Sequence, residues 1–129
     1  MSEATSEKLS SLDGRKVILH DMCLRDGMHA KGEQISVEEM VKVATALDDA
    51  NVPYIQVTHG AGLGGNSLQH GFSMASNEEY ISAVAPLMKQ AIISVLLIPG
   101  MGTMKELQAA YDAGARSVHV ATPCTEANT

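Results

Sequence analysis

Apolar residues along this chain follow two alternating rhythms. Short runs rich in Val, Ile and Leu recur at Val17-Ile18-Leu19, Tyr54 to Thr58, Ile92 to Ile98 and Ser117 to Ala121, the length and composition of buried strands. The first run ends in His20-Asp21 and predicts a strand buried on both faces. Between the runs, apolar positions return every three or four residues, which is the spacing of a helix with one buried stripe. The stripes are Val37, Met40, Val41, Ala44 and Leu47, then Tyr80, Ile81, Val84, Leu87 and Met88, then Leu107, Ala110 and Tyr111.

Each helix opens on a capping box, in which a hydroxyl and a glutamate three residues later satisfy each other's orphan amides: Ser36-Val-Glu-Glu39, Ser76-Asn-Glu-Glu79 and Thr103-Met-Lys-Glu106. The first helix ends near Asn51-Val52-Pro53 and the third at Gly114, a natural C-cap. Cys23 to Ile35 reads as a polar loop punctuated by glycine. The order is therefore βαβαβαβ, which implies parallel strands with right-handed crossovers, in an open sheet or a (β/α) barrel. Four strands in residues 16–129 match the repeat of a TIM barrel, yet a complete barrel takes about 250 residues. The reading is α/β, the first half of a (β/α)8 barrel over 16–129, behind a polar flexible tail at 1–15.

Composition narrows the picture further. With no Trp, one Phe and three Tyr, the core must come from branched aliphatics, Ala and eight Met, and aliphatics are expected in the inner barrel layer. A net charge of −6 argues against nucleic acid or an anionic membrane as partner, since both require a basic surface. Cys23 and Cys124 lie far apart with no C-x-x-C spacing, as free thiols in a reducing compartment would. The start MSEATSEKLSSLDG lacks the basic and apolar regions of a signal peptide, and the longest nearly apolar run, Ala91 to Pro99, is far below the roughly 20 residues that span a bilayer. A cytoplasmic protein acting on small molecules or proteins is expected.

The densest chemistry is Leu24-Arg25-Asp26-Gly27-Met28-His29-Ala30, just beyond the C-terminal end of the first strand, where barrels place their active sites. Asp26 is a hard oxygen ligand for Mg²⁺ or Mn²⁺, Arg25 can stabilise an oxyanion, and His29 belongs to the residue type that titrates near neutrality. The residues alone leave a second reading open, in which Arg25 and Asp26 are a surface turn pair and His29 is solvated. After the second strand, His59-Gly-Ala-Gly-Leu-Gly-Gly65 contains G-x-G-x-x-G, but the polar stretch Asn66 to Ala75 separates it from the next helix, which excludes the dinucleotide fingerprint. A pocket-shaping or mobile loop is expected instead, with His59 either supporting the site or purely structural. The other histidines, His20, His70 and His119, form no H-x-H or H-x-x-x-H pair.

At LRDGMHA, IQVTHGAGLGGNSLQHGFS, LLIPGMGTMKEL and AGARSVHVATPCTEA, the chain resembles the N-terminal half of the 4-hydroxy-2-oxovalerate aldolases. These belong to a superfamily of metal-dependent pyruvate-aldolase and acyltransferase barrels. The resemblance implies a lyase that reversibly cleaves 4-hydroxy-2-oxopentanoate to pyruvate and acetaldehyde with Mn²⁺, or Mg²⁺ or Co²⁺, in aromatic catabolism. It implies that Asp26 is the metal ligand at the substrate, Arg25 binds the keto and enolate oxygens, and His29 is the general base. Leu96 and Ile98 would line the pocket for the aldehyde end, and an acylating acetaldehyde dehydrogenase would be the partner.

The family's other metal ligands come from a His-x-His on a later strand, which this sequence lacks. Gln56 stands where relatives usually carry Glu, and Pro123 and Asn128 replace an expected His and Asp. Two alternatives follow. One is an acyl-CoA-using relative, similar to 2-isopropylmalate synthase or hydroxymethylglutaryl lyase. The other is a non-catalytic half-barrel that self-associates through its open edges.

Overall fold

The computed structural model describes residues 13–128. Most of the expected tail, residues 1–15, lies outside them. Four parallel strands form one sheet: β1 (His20–Asp21), β2 (Tyr54–Gln56), β3 (Ile92–Leu97) and β4 (Ser117–Val120). They lie side by side in chain order, β1-β2-β3-β4. A doubly wound sheet reverses its order at a switch point; this one does not. Right-handed crossovers in unreversed order place every helix on one face and leave the other to become a barrel interior.

The covering helices are a single turn α1 (Gly27–Ala30), then α2 (Val37–Asp49), α3 (Asn77–Val84) and α4 (Met104–Ala113). All three predicted capping boxes form, each with both reciprocal hydrogen bonds. The core lies between helices and sheet: Ile55, Val57, Ile93 and Val95 meet Met40 and Ala44 of α2, Tyr80, Ile81 and Val84 of α3, and Ala110 of α4. Leu24 and Met28 close it from the loop after β1.

Val17, Ile18 and Leu19 are not buried on both faces but 80%, 56% and 58% exposed, because β1 is an edge strand of only two residues with a single neighbour among the described residues. The stretch Cys23 to Ile35 is not wholly loop, since α1 occupies its middle; four residues are too few to show a period. Leu87 is exposed rather than inward. The α-helix gives way to a 3-10 turn at Ala85–Leu87, as expected where Pro86 has no N–H for the helical ladder. Tyr111 is also exposed, and its ring lies under the Arg116 guanidinium, 4.3 Å from ring centroid to Cζ.

The inner face is polar rather than aliphatic. Ser94 pairs in register with Gln56 and Ser117, and Leu96 with His119, so these side chains share a face. His20 and Tyr54 stack there with centroids 4.3 Å apart, and His20, Met22, Ser94, Ser117 and His119 line a cleft. The hydroxyl of Ser94 is buried there without a partner among the described residues.

Candidate active site

Arg25 and Asp26 follow β1, where the chain turns back on itself as the Arg25 and Asp26 amides both donate to the Met22 carbonyl. The two side chains end in different surroundings. That of Arg25 is only 12% exposed and that of Asp26 is 70% exposed, although the two are bonded at 3.1 Å. Arg25 is therefore more than half of a surface pair. Its Nε donates to Gln56 Oε1 at 3.0 Å, and its Nη1 to the Gly60 carbonyl at 3.4 Å. Gln56 in turn lies 3.2 Å from Nδ1 of His119 through its Nε2. An amide can accept from Arg25 and donate to His119 together, whereas an ionised glutamate can only accept. Gln56 thus couples the guanidinium to the β4 histidine.

His29 lies on the exposed side of α1, its side chain 53% exposed, with Nδ1 3.0 Å from Glu33 Oε1. Sequence reasoning missed Glu33. It is 3% exposed, and its backbone adopts φ +64°, the left-handed region that a non-glycine residue rarely enters. Its Oε2 accepts the Gly60 amide at 2.9 Å and lies 3.5 Å from His59 Nε2. A single buried carboxylate therefore ties α1 to the glycine-rich loop.

That loop is tied down by hydrogen bonds in this structure. His59 is fully buried; its Nδ1 accepts the Ala61 amide at 3.0 Å and its Nε2 meets the Gly71 carbonyl at 3.0 Å. A ring nitrogen that accepts carries no proton, so His59 is the neutral Nε2–H tautomer in a structural role. Leu63 donates to the Leu96 carbonyl at 2.9 Å. Gly62 has φ +83°, and a Cβ there would fall 2.5 Å from that same carbonyl oxygen, so glycine is required for the loop to lie against β3. The helix after the loop starts only at Asn77, far from the glycines, which agrees with the rejection of a dinucleotide fingerprint.

Leu96 is buried on the inner face beside His119, under the glycine loop. Ile98 lies one residue beyond β3, not on it, and its carbonyl closes the turn by accepting from Met101 and Gly102. Arg25, Gln56, Gly60 and His119 thus form one connected group, with Asp26 on it through Arg25 and His29 and Glu33 beside it through Gly60. The Cys23 thiol is disfavoured as a thiolate. Although the residue is exposed, desolvation of its thiol, then the hydrogen bond and negative charge of Asp21, push its pKa up to about 12.

Four parallel strands in unreversed order, with an Arg-Asp pair after the first of them, are the fold of a (β/α) barrel's opening strands. The HMGL-like family model matches residues 16–129, and the chain belongs to that family. Among curated relatives, it is 84% identical over 120 residues to 4-hydroxy-2-oxovalerate aldolase 1 of Azoarcus sp. (strain BH72), covering 93% of this chain and 35% of the relative. It is 80% identical over 119 residues to 4-hydroxy-2-oxovalerate aldolase 3 of Azotobacter vinelandii, covering 92% and 34%. It is 76% identical over 126 residues to 4-hydroxy-2-oxovalerate aldolase 2 of Methylibium petroleiphilum, covering 98% and 35%. The chain spans about a third of the length of these relatives.

Proposed function

We propose that this chain supplies the first strands and part of the active site of a 4-hydroxy-2-oxovalerate aldolase, a carbon–carbon lyase competent once the rest of the barrel is joined to it. The observation that supports this most strongly is the Arg25 guanidinium, drawn out of solvent and held by Gln56 and Gly60 beside an accessible carboxylate and a histidine with an open ring edge. In the proposed cleavage of 4-hydroxy-2-oxopentanoate, His29 takes the proton of the 4-hydroxyl. The C3–C4 bond breaks to release acetaldehyde, and its electron pair passes into the 2-oxo group as an enolate. Arg25 stabilises that developing oxyanion, and protonation at C3 gives pyruvate. Leu96 and Ile98 are proposed at the aldehyde end.

Asp26 suits one position in the shell of a hard cation, being an exposed carboxylate. Among the described residues, no group of three or more His, Cys, Asp or Glu could hold an ion, so Asp26 fits as one ligand and does not make a site alone. Mn²⁺, or Mg²⁺ or Co²⁺, is proposed with its remaining ligands outside this chain; when bound, it would add positive charge near the enolate. An acylating acetaldehyde dehydrogenase, taking up the aldehyde in the cytoplasmic catabolism of aromatic compounds, is the proposed partner.

The test is a chimera in which this chain replaces the matching region of the Azoarcus relative. With Mn²⁺, it should release pyruvate from 4-hydroxy-2-oxopentanoate, and His29→Ala should lower kcat by about 10²-fold or more, the usual share of a general base. Consumption of acetyl-CoA with 2-oxo acids, without aldol cleavage, would favour the acyl-CoA-using alternative.

A further inference from the structure

We infer that Glu33 is a positioning residue that fixes the ring tautomer and orientation of His29, and so selects Nε2 as the base; the kinetic part of this rests on the aldolase reading above. An ionised carboxylate has no proton to give. A bare lone pair on His29 Nδ1, 3.0 Å from Glu33 Oε1, would be repelled by the carboxylate, so the proton sits on Nδ1 and Nε2 keeps the lone pair. Nε2 has no hydrogen-bond partner among the described residues. In a free histidine the two neutral tautomers compete, and only one carries its lone pair at the position the reaction uses.

Three features show that this contact is built in. Glu33 is 3% exposed at φ +64°, and strain of this kind persists where the surroundings impose it, often at functional sites. Its other oxygen is fixed by the Gly60 amide at 2.9 Å, with His59 Nε2 at 3.5 Å, so the carboxylate cannot turn away. Gly60 leaves the room: a Cβ there would fall 2.6 Å from Glu33 Oε1 and 2.7 Å from His29 Cε1.

The arrangement makes Glu33→Gln unusually informative. The Gly60 amide donates to Oε2, so it holds the amide oxygen of Gln there and turns its NH2 toward His29. Nδ1 must then accept, and the proton moves to Nε2. Replacing one oxygen by nitrogen is expected to reverse the tautomer while keeping the latch on the glycine loop. A purely structural role for Glu33 predicts no reversal.

Long-range 1H–15N correlation spectra of the neutral His29 ring, assigned with His29→Ala, read this directly in the 129-residue chain. The expected result is an Nδ1–H ring in the wild type and an Nε2–H ring in Glu33→Gln. An Nε2–H ring in the wild type, or the same tautomer in both, overturns the inference. Should Glu33→Gln fail to fold, Gly60→Ala serves instead. Gly60 has no positive φ, and the added methyl pushes His29 off Glu33, so the wild-type preference for Nδ1–H should vanish; an unchanged preference overturns the inference.

In the chimera, Glu33→Gln should lower kcat by about 10²-fold or more with KM nearly unchanged, and Glu33→Asp should recover part of the loss. Unchanged kcat alongside a reversed tautomer overturns the catalytic role of Nε2. Absence of any aldol cleavage by the unsubstituted chimera counts against the aldolase reading alone, because the tautomer is measured without substrate.

Discussion

Glu33 and Asp48 are both carboxylates at 3% exposure, and their partners separate their roles. Asp48 gathers amides: its Oδ2 accepts from Lys89 N at 2.7 Å, and its Oδ1 from Gln90 N at 3.1 Å and Ala91 N at 2.8 Å. These bonds, the Lys89 amide first, hold its carboxyl below the usual carboxylate range. A depressed folded value means that the stabilisation is present above the unfolded carboxylate value and is lost as pH falls through the folded one. Asp48→Ala should cost about 3 kcal/mol, since it leaves buried amides without an acceptor, and urea unfolding at neutral pH measures it. At Cys23 the shift has the opposite sign, so the neutral thiol is favoured until pH approaches about 12. Iodoacetamide should label it slowly at pH 8, and Asp21→Asn should speed the labelling, as mass spectrometry would show.

Arg25, Asp26 and His29 were legible as candidates because their chemistry is local in sequence. Glu33 was not. Its burial and its contacts with Gly60 and His59 depend on a loop 27 residues away, and no spacing rule links the two. Gln56 was visible only as a departure from the resemblance, and its bridge to His119 requires the register of three strands.

Among the elements, helix starts were the most legible part, since a capping box is written within four residues. Helix faces were read less well. Leu87 continued the periodic stripe, but Pro86 redirected the backbone before it. Strand ends were the least legible, because pairing rather than composition sets them: Val17 to Leu19 have strand-like side chains and lie outside β1. The glycine loop behaves as an element of its own, seated on β3. Gly62→Ala should destabilise the fold by more than about 1 kcal/mol, since alanine is strained at φ +83° and its methyl would meet the Leu96 carbonyl. Thermal unfolding tests this, and an unchanged midpoint would mean that the loop can move away from β3.

For the whole molecule, the alternation of elements allowed an open sheet or a barrel, and the strand count against chain length already pointed to half a barrel. The unreversed sheet order agrees with that reading. Its outer strands each have one neighbour among the described residues, and Val118 and Val120 on β4 are 41% and 57% exposed. Unpaired edges with apolar side chains favour pairing, so the chain by itself should sediment as a concentration-dependent oligomer. A strict monomer would show that these edges are protected.

On the proposed function, Arg25, Asp26 and His29 belong to one aldol-cleaving site. Pyruvate release from 4-hydroxy-2-oxopentanoate by the Azoarcus chimera, titrated with Mn²⁺ and compared with its Asp26→Asn variant, tests it most directly. Mn²⁺-dependent cleavage is expected, abolished by Asp26→Asn or shifted to much higher Mn²⁺. Equal cleavage by both proteins at the same Mn²⁺, or none by the unsubstituted chimera, would contradict it.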